Sequence, residues 1–412
     1  MSTPAPLELT RPIRDSWLGV GVLFLASALA VGSSSYAFGL FVQPLEQAFG
    51  WPRTAISASL SFAAVGSLAS PLLGRLMDRL GARQVMVVSL FLGGLSFLLR
   101  PLMSQLWHWY VLSFLQFVLF NGMSFLPAGR LIGIWFDTRR GRMMGLVMMG
   151  SNFGGLTLPM IAGLCLATFS WEAAYLSFAF LFFAIAVLAM LFIRESPRNA
   201  PGSSQSERTD EALRLTGLDA REALRTPFFY AITFAIMMAS FSYSTILAQV
   251  GAHWVAEGLS TTSVSIALGL LATAGMAGKV LYGLLAECWG ARCCLVVNLA
   301  AQIVSVVLMV AFSNPPLVWV SASVFGLHMG GYGTLVPLIV QETFGLRHYG
   351  SISGLISMAT VIPYTLGPLM AGVSYDLWGS YSPAFLAVTG LFALGIVSLL
   401  LGKSTSLIAP TS

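Results

Sequence analysis

The sequence predicts an all-α membrane protein, with twelve transmembrane helices in two pseudo-symmetric six-helix bundles. Three observations carry that expectation. Of the 412 residues, 57% are hydrophobic and only 9% are charged, whereas soluble domains carry about 25% charged residues. Twelve apolar runs each approach the roughly 20 residues that an α-helix needs to cross a bilayer. A charged pattern is used twice, 209 positions apart: "GRLMDRLGAR" from Gly74 returns as "GLLAECWGAR" from Gly283.

The runs follow in order along the chain. The first, near 17–40, continues for about a full span where a secretory signal would show only a brief apolar core before its cleavage site, so it is read as a retained helix. Runs near 54–74, 84–102, 107–135, 142–168 and 172–193 complete the first set. Residues 194–226 then break the apolar pattern with "RESPRNAPGSSQSERTDEALRLTGLDAREALRT". Its Pro, Ser and Gly mark a flexible start, and from Thr209 interleaved Ala, Leu and charges predict a short amphipathic helix at the membrane surface. Runs near 227–250, 262–286, 293–312, 315–341, 350–373 and 382–402 form the second set. The expected domains are residues 1–193, a cytoplasmic linker at 194–226, and residues 227–412.

The repeat extends beyond the opening motif. "LPMIAG" at 158–163 matches "GPLMAG" at 367–372, pairing Pro159 with Pro368, and "RRGRMMG" at 139–145 matches "HYGSISG" at 348–354. The two sets are therefore copies of one six-helix unit, and parallel halves of this kind place a substrate site between them near mid-membrane.

A net charge of +5 would fit a nucleic-acid partner in a soluble protein, but here the distribution decides. With the amino terminus in the cytoplasm, most of the 21 basic residues fall in inside segments, from Arg11 and Arg14 to Arg347 and Lys403. Only Arg53 and Arg100 fall outside, while Arg130 and Lys279 lie within helices. The expectation is a multi-pass protein of the cell inner (plasma) membrane, embedded in lipid, monomeric, with both termini cytoplasmic and no nucleic-acid partner. Cys165, Cys288, Cys293 and Cys294 offer no CxxC or Cys/His ligand spacing. No disulfide, metal site or cofactor is expected. Nothing reads as a nucleotide loop or a nucleophile with its base, so no enzyme is expected.

Twelve helices, a central linker and the G-x-L-x-D-R-x-G-x-R loop at Gly74–Arg83 resemble the major facilitator superfamily, over the whole chain. Within it, "YAFGLFVQPLEQAFGWPRTAIS" and "WFDTRRGRMMGLVMMGSNFGG" resemble the monocarboxylate transporters and the oxalate/formate antiporter group. The resemblance implies that Gly74, Asp78, Arg79 and Arg83, with Gly283, Glu287 and Arg292, form cytoplasmic latches that close when the transporter faces outward. An acid at a helix end can accept from a neighbouring helix's N–H groups or pair with arginine. Arg75 and Arg83 have two open roles, gating or setting orientation. Because Cys288 replaces Arg79 in the second copy, the second latch is expected to be weaker.

Arg130 in "FLPAGRLIGIWF" lies about two turns inside its helix, where a partner or water is required; Asp78 is the first candidate for that partner. Lys279 in "LLATAGMAGKVLYGLLAE" lies eight residues before Glu287, about 12 Å deeper along the helix. Two readings stand: a lysine that snorkels or pairs with an acid, or an ammonium that holds an anionic substrate. The related transporters carry arginine here after glycine, so lysine keeps the charge and loses the bidentate fork. Animal monocarboxylate transporters also place an aspartate four residues earlier, where this chain has Gly275. Asn121, Tyr332, His328 and Tyr36 are the further candidate substrate-binding residues, with His328 and Tyr332 four apart on one helix face.

The expected function is secondary active transport of a small organic anion, a monocarboxylate, by proton symport or anion exchange. The alternative is proton-coupled efflux of drugs or other hydrophobic compounds. Exporters of that type resemble this chain less, because the buried acid of helix one and the arginine-glutamine-glycine motif of helix four are both missing from the sequence.

Overall fold

A computed structural model describes residues 10–136, 138–195 and 217–402. Among the described residues, twelve helices are long and apolar enough to cross a membrane: α1 (Trp17–Tyr36), α2 (Arg53–Leu80), α3 (Ala82–Leu102), α4 (Leu106–Trp135), α5 (Arg140–Thr168), α6 (Trp171–Phe192), α7 (Pro227–Ala256), α8 (Thr261–Trp289), α9 (Ala291–Ala311), α10 (Pro315–Phe344), α11 (Tyr349–Trp378) and α12 (Ser382–Leu401). Several extend past the apolar runs that announce them. Helical hydrogen bonding in α2 continues through the charged residues to Leu80 and stops at Gly81, whose φ of 96° suits a residue without Cβ. The second copy ends the same way, with Gly290 at φ 76° after α8.

Two compact units result. Unit 1 is drawn from Met1–Thr138, Leu146–Gly217 and Leu346–Gly354, and unit 2 from Arg139–Gly145, Leu218–Gly345 and Leu355–Ser412. Each six-helix set thus takes up one short segment from the other half of the sequence, 346–354 in unit 1 and 139–145 in unit 2.

Lipid supplies no hydrophobic drive between helices, so close packing depends on small residues. In unit 1, α1 meets α5 where a Cβ at Gly150 or Gly154 would fall on the Phe24 or Ala28 carbonyl. In unit 2, α8 and α10 meet along a longer seam: a Cβ at Gly278 would overlap the Leu327 carbonyl, at Gly326 that of Leu271, and at Gly330 that of Gly275.

Local breaks also recur. A π turn covers Gly32–Tyr36 in α1 and Ser242–Leu247 in α7, at positions that the 209-residue offset nearly superimposes. Ser33 and Ser34 donate to the Leu29 and Ala30 carbonyls, each at 2.6 Å, and such back-bonding satisfies hydroxyls inside an apolar helix. The α4 helix breaks at Ser124 and resumes at Phe125, because Pro127 has no N–H for the preceding turn.

Of the linker, a short helix at Ala220–Arg225 is described, held by reciprocal bonds between Asp219 and Glu222. The expected helix start at Thr209 lies outside the described residues, as do Arg198, Arg208, Arg214 and Lys403.

The α8–α10 seam yields a stability test. Gly278→Ala should lower stability in detergent by about 1–3 kcal/mol through overpacking. Gly269→Ala, where an added Cβ meets nothing within 4 Å, should leave thermal unfolding unchanged.

Candidate functional site

Helix α2 is read by the 346–354 segment at three positions one turn apart. A Cβ at Gly354 would press on the Ser70 carbonyl, and one at Gly350 on that of Gly74. At the third position the Asp78 carboxylate accepts from the N–H of Gly350 at 3.0 Å and of Ser351 at 2.7 Å. Asp78 also accepts from Arg130 Nη1 at 3.0 Å, with side-chain exposures of only 6% and 9%. The depth of Arg130 demanded a partner, and Asp78 is that partner. Three of the acid's acceptor positions are filled by donors from α4 and from the first turn of α11, where N–H groups lack helical partners.

Helix α8 meets the 139–145 segment by the same ruler. Gly145 lies against the Lys279 carbonyl, and Gly141 and Gly283 pack backbone to backbone. Glu287 accepts from Arg142 N at 2.9 Å and Arg142 Nε at 2.6 Å. Ser70, Gly74 and Asp78 become Lys279, Gly283 and Glu287 under the 209-residue offset. Lys279 is therefore the second half's counterpart of Ser70.

The flanking arginines repeat as well. Arg83 Nη2 donates to the Met190 carbonyl, and Arg292 Nη2 donates to the carbonyls of Leu399 and Gly402 and stacks on Phe228 at 4.8 Å. Arg79 differs. It is exposed, with no hydrogen bond or ion pair among the described residues. Its replacement by Cys288 therefore removes no hydrogen bond or ion pair among the described residues. What differs is the arginine: Arg130 sits buried behind Asp78, whereas Arg142, beside Glu287, is 51% exposed.

Two further acids carry no clear signal in the sequence. Glu195 accepts from Ala82 N and lies 3.6 Å from Arg130 Nε, and Glu342 accepts from Ala291 N at 2.7 Å. Both cap the N–H that follows a positive-φ glycine, so "GA" after each charged motif was the available clue.

The remaining candidates are distributed between the units. In unit 2, Lys279 is 5% exposed. His328 Nδ1 lies 2.6 Å from the Tyr282 hydroxyl, and the His328 carbonyl accepts from Asn298 Nδ2 at 2.6 Å. Tyr332 turns elsewhere: its hydroxyl donates to the Ile236 carbonyl at 3.0 Å and lies 2.8 Å from Ser240 Oγ. The four-residue spacing of His328 and Tyr332 thus does not bring them into one hydrogen-bonded group. In unit 1, Asn121 Nδ2 donates to Ser70 Oγ, while Tyr36 is 45% exposed with its ring beside Gly155.

The two carboxylates should differ in cost of removal. Asp78→Ala leaves a buried arginine and should cost about 3–5 kcal/mol, against about 0–1 kcal/mol for Glu287→Ala, whose partner is half in solvent. Unfolding in detergent checks this, with equal costs counting against the burial argument.

Comparison with known proteins bears on the whole chain. The family described as Major Facilitator Superfamily matches residues 23–368 and again 233–410. The chain is 22% identical over 317 residues to the MFS transporter asaE of Aspergillus flavus, covering 76% of this chain and 69% of that protein. It is 23% identical over 369 residues to mouse monocarboxylate transporter 12, covering 81% and 74%. Among solved structures it is similar to the E. coli fucose:proton symporter FucP, with a TM-score of 0.69 at 15% identity, covering 95% of this chain and 100% of that one. With twelve membrane helices and a family match spanning nearly its full length, the chain belongs to the major facilitator superfamily and is a membrane transporter.

Proposed function

We propose that this protein moves a small organic anion, a monocarboxylate, across the plasma membrane by alternating access, through proton symport or anion exchange. The observation that carries the reading is Lys279, a buried ammonium on a membrane helix. A charge at such depth is costly and marks a substrate or ion pathway by default, and its sign favours an anion. The similarity to a protein named monocarboxylate transporter 12 supports the same class.

In this reading Lys279 binds the carboxylate, with His328, Tyr332, Asn121 and Tyr36 as further substrate contacts. Gly74, Asp78, Arg83, Arg130, Gly283, Glu287 and Arg292 act at the gates; Arg79, exposed and with no hydrogen bond or ion pair among the described residues, is assigned a role in orientation. Opening would release residues 346–354 from α2 and residues 139–145 from α8. The excess of arginine at one set of helix ends supports cytoplasmic termini.

Uptake of labelled monocarboxylates into proteoliposomes tests the substrate class, with fucose and xylose as neutral controls. Lys279→Ala and Lys279→Gln should abolish anion uptake in folded protein, while Lys279→Arg should retain part of it. Full uptake by Lys279→Ala would overturn the site. An inward proton gradient should accelerate uptake if transport is symport, and preloaded anion should do so if it is exchange. At the gate, Asp78→Asn should raise cysteine labelling from the cytoplasmic face, because it removes a charge-assisted contact worth about 1.5–3 kcal/mol.

A further inference from the structure

Arg100 lies in the last turn of α3, at the end expected on the outer side, yet it is only 4% exposed. Its guanidinium carbon stands 4.4 Å from the ring centroid of Phe97, 4.7 Å from that of Trp109 and 4.8 Å from that of Tyr175. Its Nη2 donates to Gln116 Oε1 at 2.6 Å. Aromatic faces attract a cation, but three rings and a neutral amide do not cancel its charge. No carboxylate pairs with it among the described residues.

Two buried polar atoms in this region have no hydrogen-bond partner, Arg100 Nε and Ser113 Oγ. The Tyr175 hydroxyl lies against the guanidinium, from which its oxygen can only accept, so its own O–H is left to donate elsewhere. Ser113 occupies the α4 face that carries Trp109 and Gln116, at the i, i+4, i+7 spacing of one helical stripe. Elsewhere, buried Ser33, Ser34 and Ser70 donate to the carbonyl four residues earlier; Ser113 does not. All three groups can donate a hydrogen bond. A buried positive charge, surplus donors and no acid describe the chemistry that receives an anion. A buried polar group left unpaired otherwise bears its full desolvation penalty.

We propose that Arg100, Tyr175 and Ser113 form a binding site for a small monovalent anion of chloride size within unit 1. With the rings of Phe97, Trp109 and Tyr175 all within 4.8 Å of the guanidinium carbon, the proposal is for a small occupant rather than an organic carboxylate such as lactate. The site is separate from Lys279, which belongs to unit 2, and stands whatever Lys279 binds.

The test uses purified wild-type protein in gluconate buffer of fixed ionic strength, titrated with chloride, bromide or lactate. Chloride and bromide should raise the melting temperature saturably, by about 2 °C or more at tenfold excess over the dissociation constant. Lactate should not. Arg100→Met should lose the halide response and Arg100→Lys should keep a reduced one. Crystals grown in bromide should show an anomalous peak within hydrogen-bond distance of Arg100 and Ser113 Oγ. Equal melting temperatures in chloride and gluconate, or a bromide-treated crystal with no peak at Arg100, would overturn the site even if Arg100→Met failed to fold. An equal response to lactate would overturn its size limit.

Discussion

Inside the hydrocarbon layer there is no water to take up a stray hydrogen bond, and that constraint organises every polar group in this chain. Asp78 illustrates its force. A lone carboxylate at a helix end would be expensive to bury, but three donors meet its needs, Arg130 Nη1 and the N–H groups of Gly350 and Ser351, the last two through the close approach that Gly74 and Gly350 permit. The glycines are therefore part of the electrostatics. Without their backbone contact, the first amides of α11 could not reach the acid.

The duplication explains why the same solution appears twice, and its differences follow from single substitutions. Position 142 is arginine where its counterpart, 351, is serine. Glu287 can thus draw its charge partner from the docking segment, whereas Asp78 takes backbone N–H from the docking segment and its charge from Arg130 on α4. The counterpart of Arg130 under the same offset is Ile339, so no buried arginine stands behind Glu287. One contact is dry and three-way, and the other half wet and bidentate. Screening by salt acts on the second far more than on the first.

The legible part of the sequence was what composition and repetition encode. Apolar length located twelve helices, the 209-residue offset located equivalent contacts, and the cost of a buried arginine located the Arg130–Asp78 pair. Side-chain direction was not legible. His328 and Tyr332 share a helix face by spacing, yet Tyr282 takes one and Ser240 the other, because what a residue touches depends on which neighbouring helix lies opposite. Arg79 reads as part of the latch by motif, but it is exposed, while the arginine that pairs with Asp78 comes from another helix. Arg100 was hidden for the same reason: its aromatic surroundings come from α3, α4 and α6, which no local window contains.

The equivalence of Ser70 and Lys279 extends to the line of contacts that each one ends. Positions 279, 283 and 287 lie four apart, so they form one line along α8, and all three meet residues 141–145 of a single short segment. In unit 1 the corresponding line ends on Ser70, a small hydroxyl that donates to Gly66 at 3.1 Å and receives Asn121. In unit 2 it ends on a lysine whose carbonyl is pressed by Gly145. A segment that leaves Glu287 must also lift from Gly283 and from the backbone of Lys279, because the spacing of glycines at 141 and 145 fixes all three contacts to one rigid helical turn. The physical connection between the charged helix end and the buried lysine is therefore backbone packing, about 12 Å long, and it needs no chain of side chains to carry it.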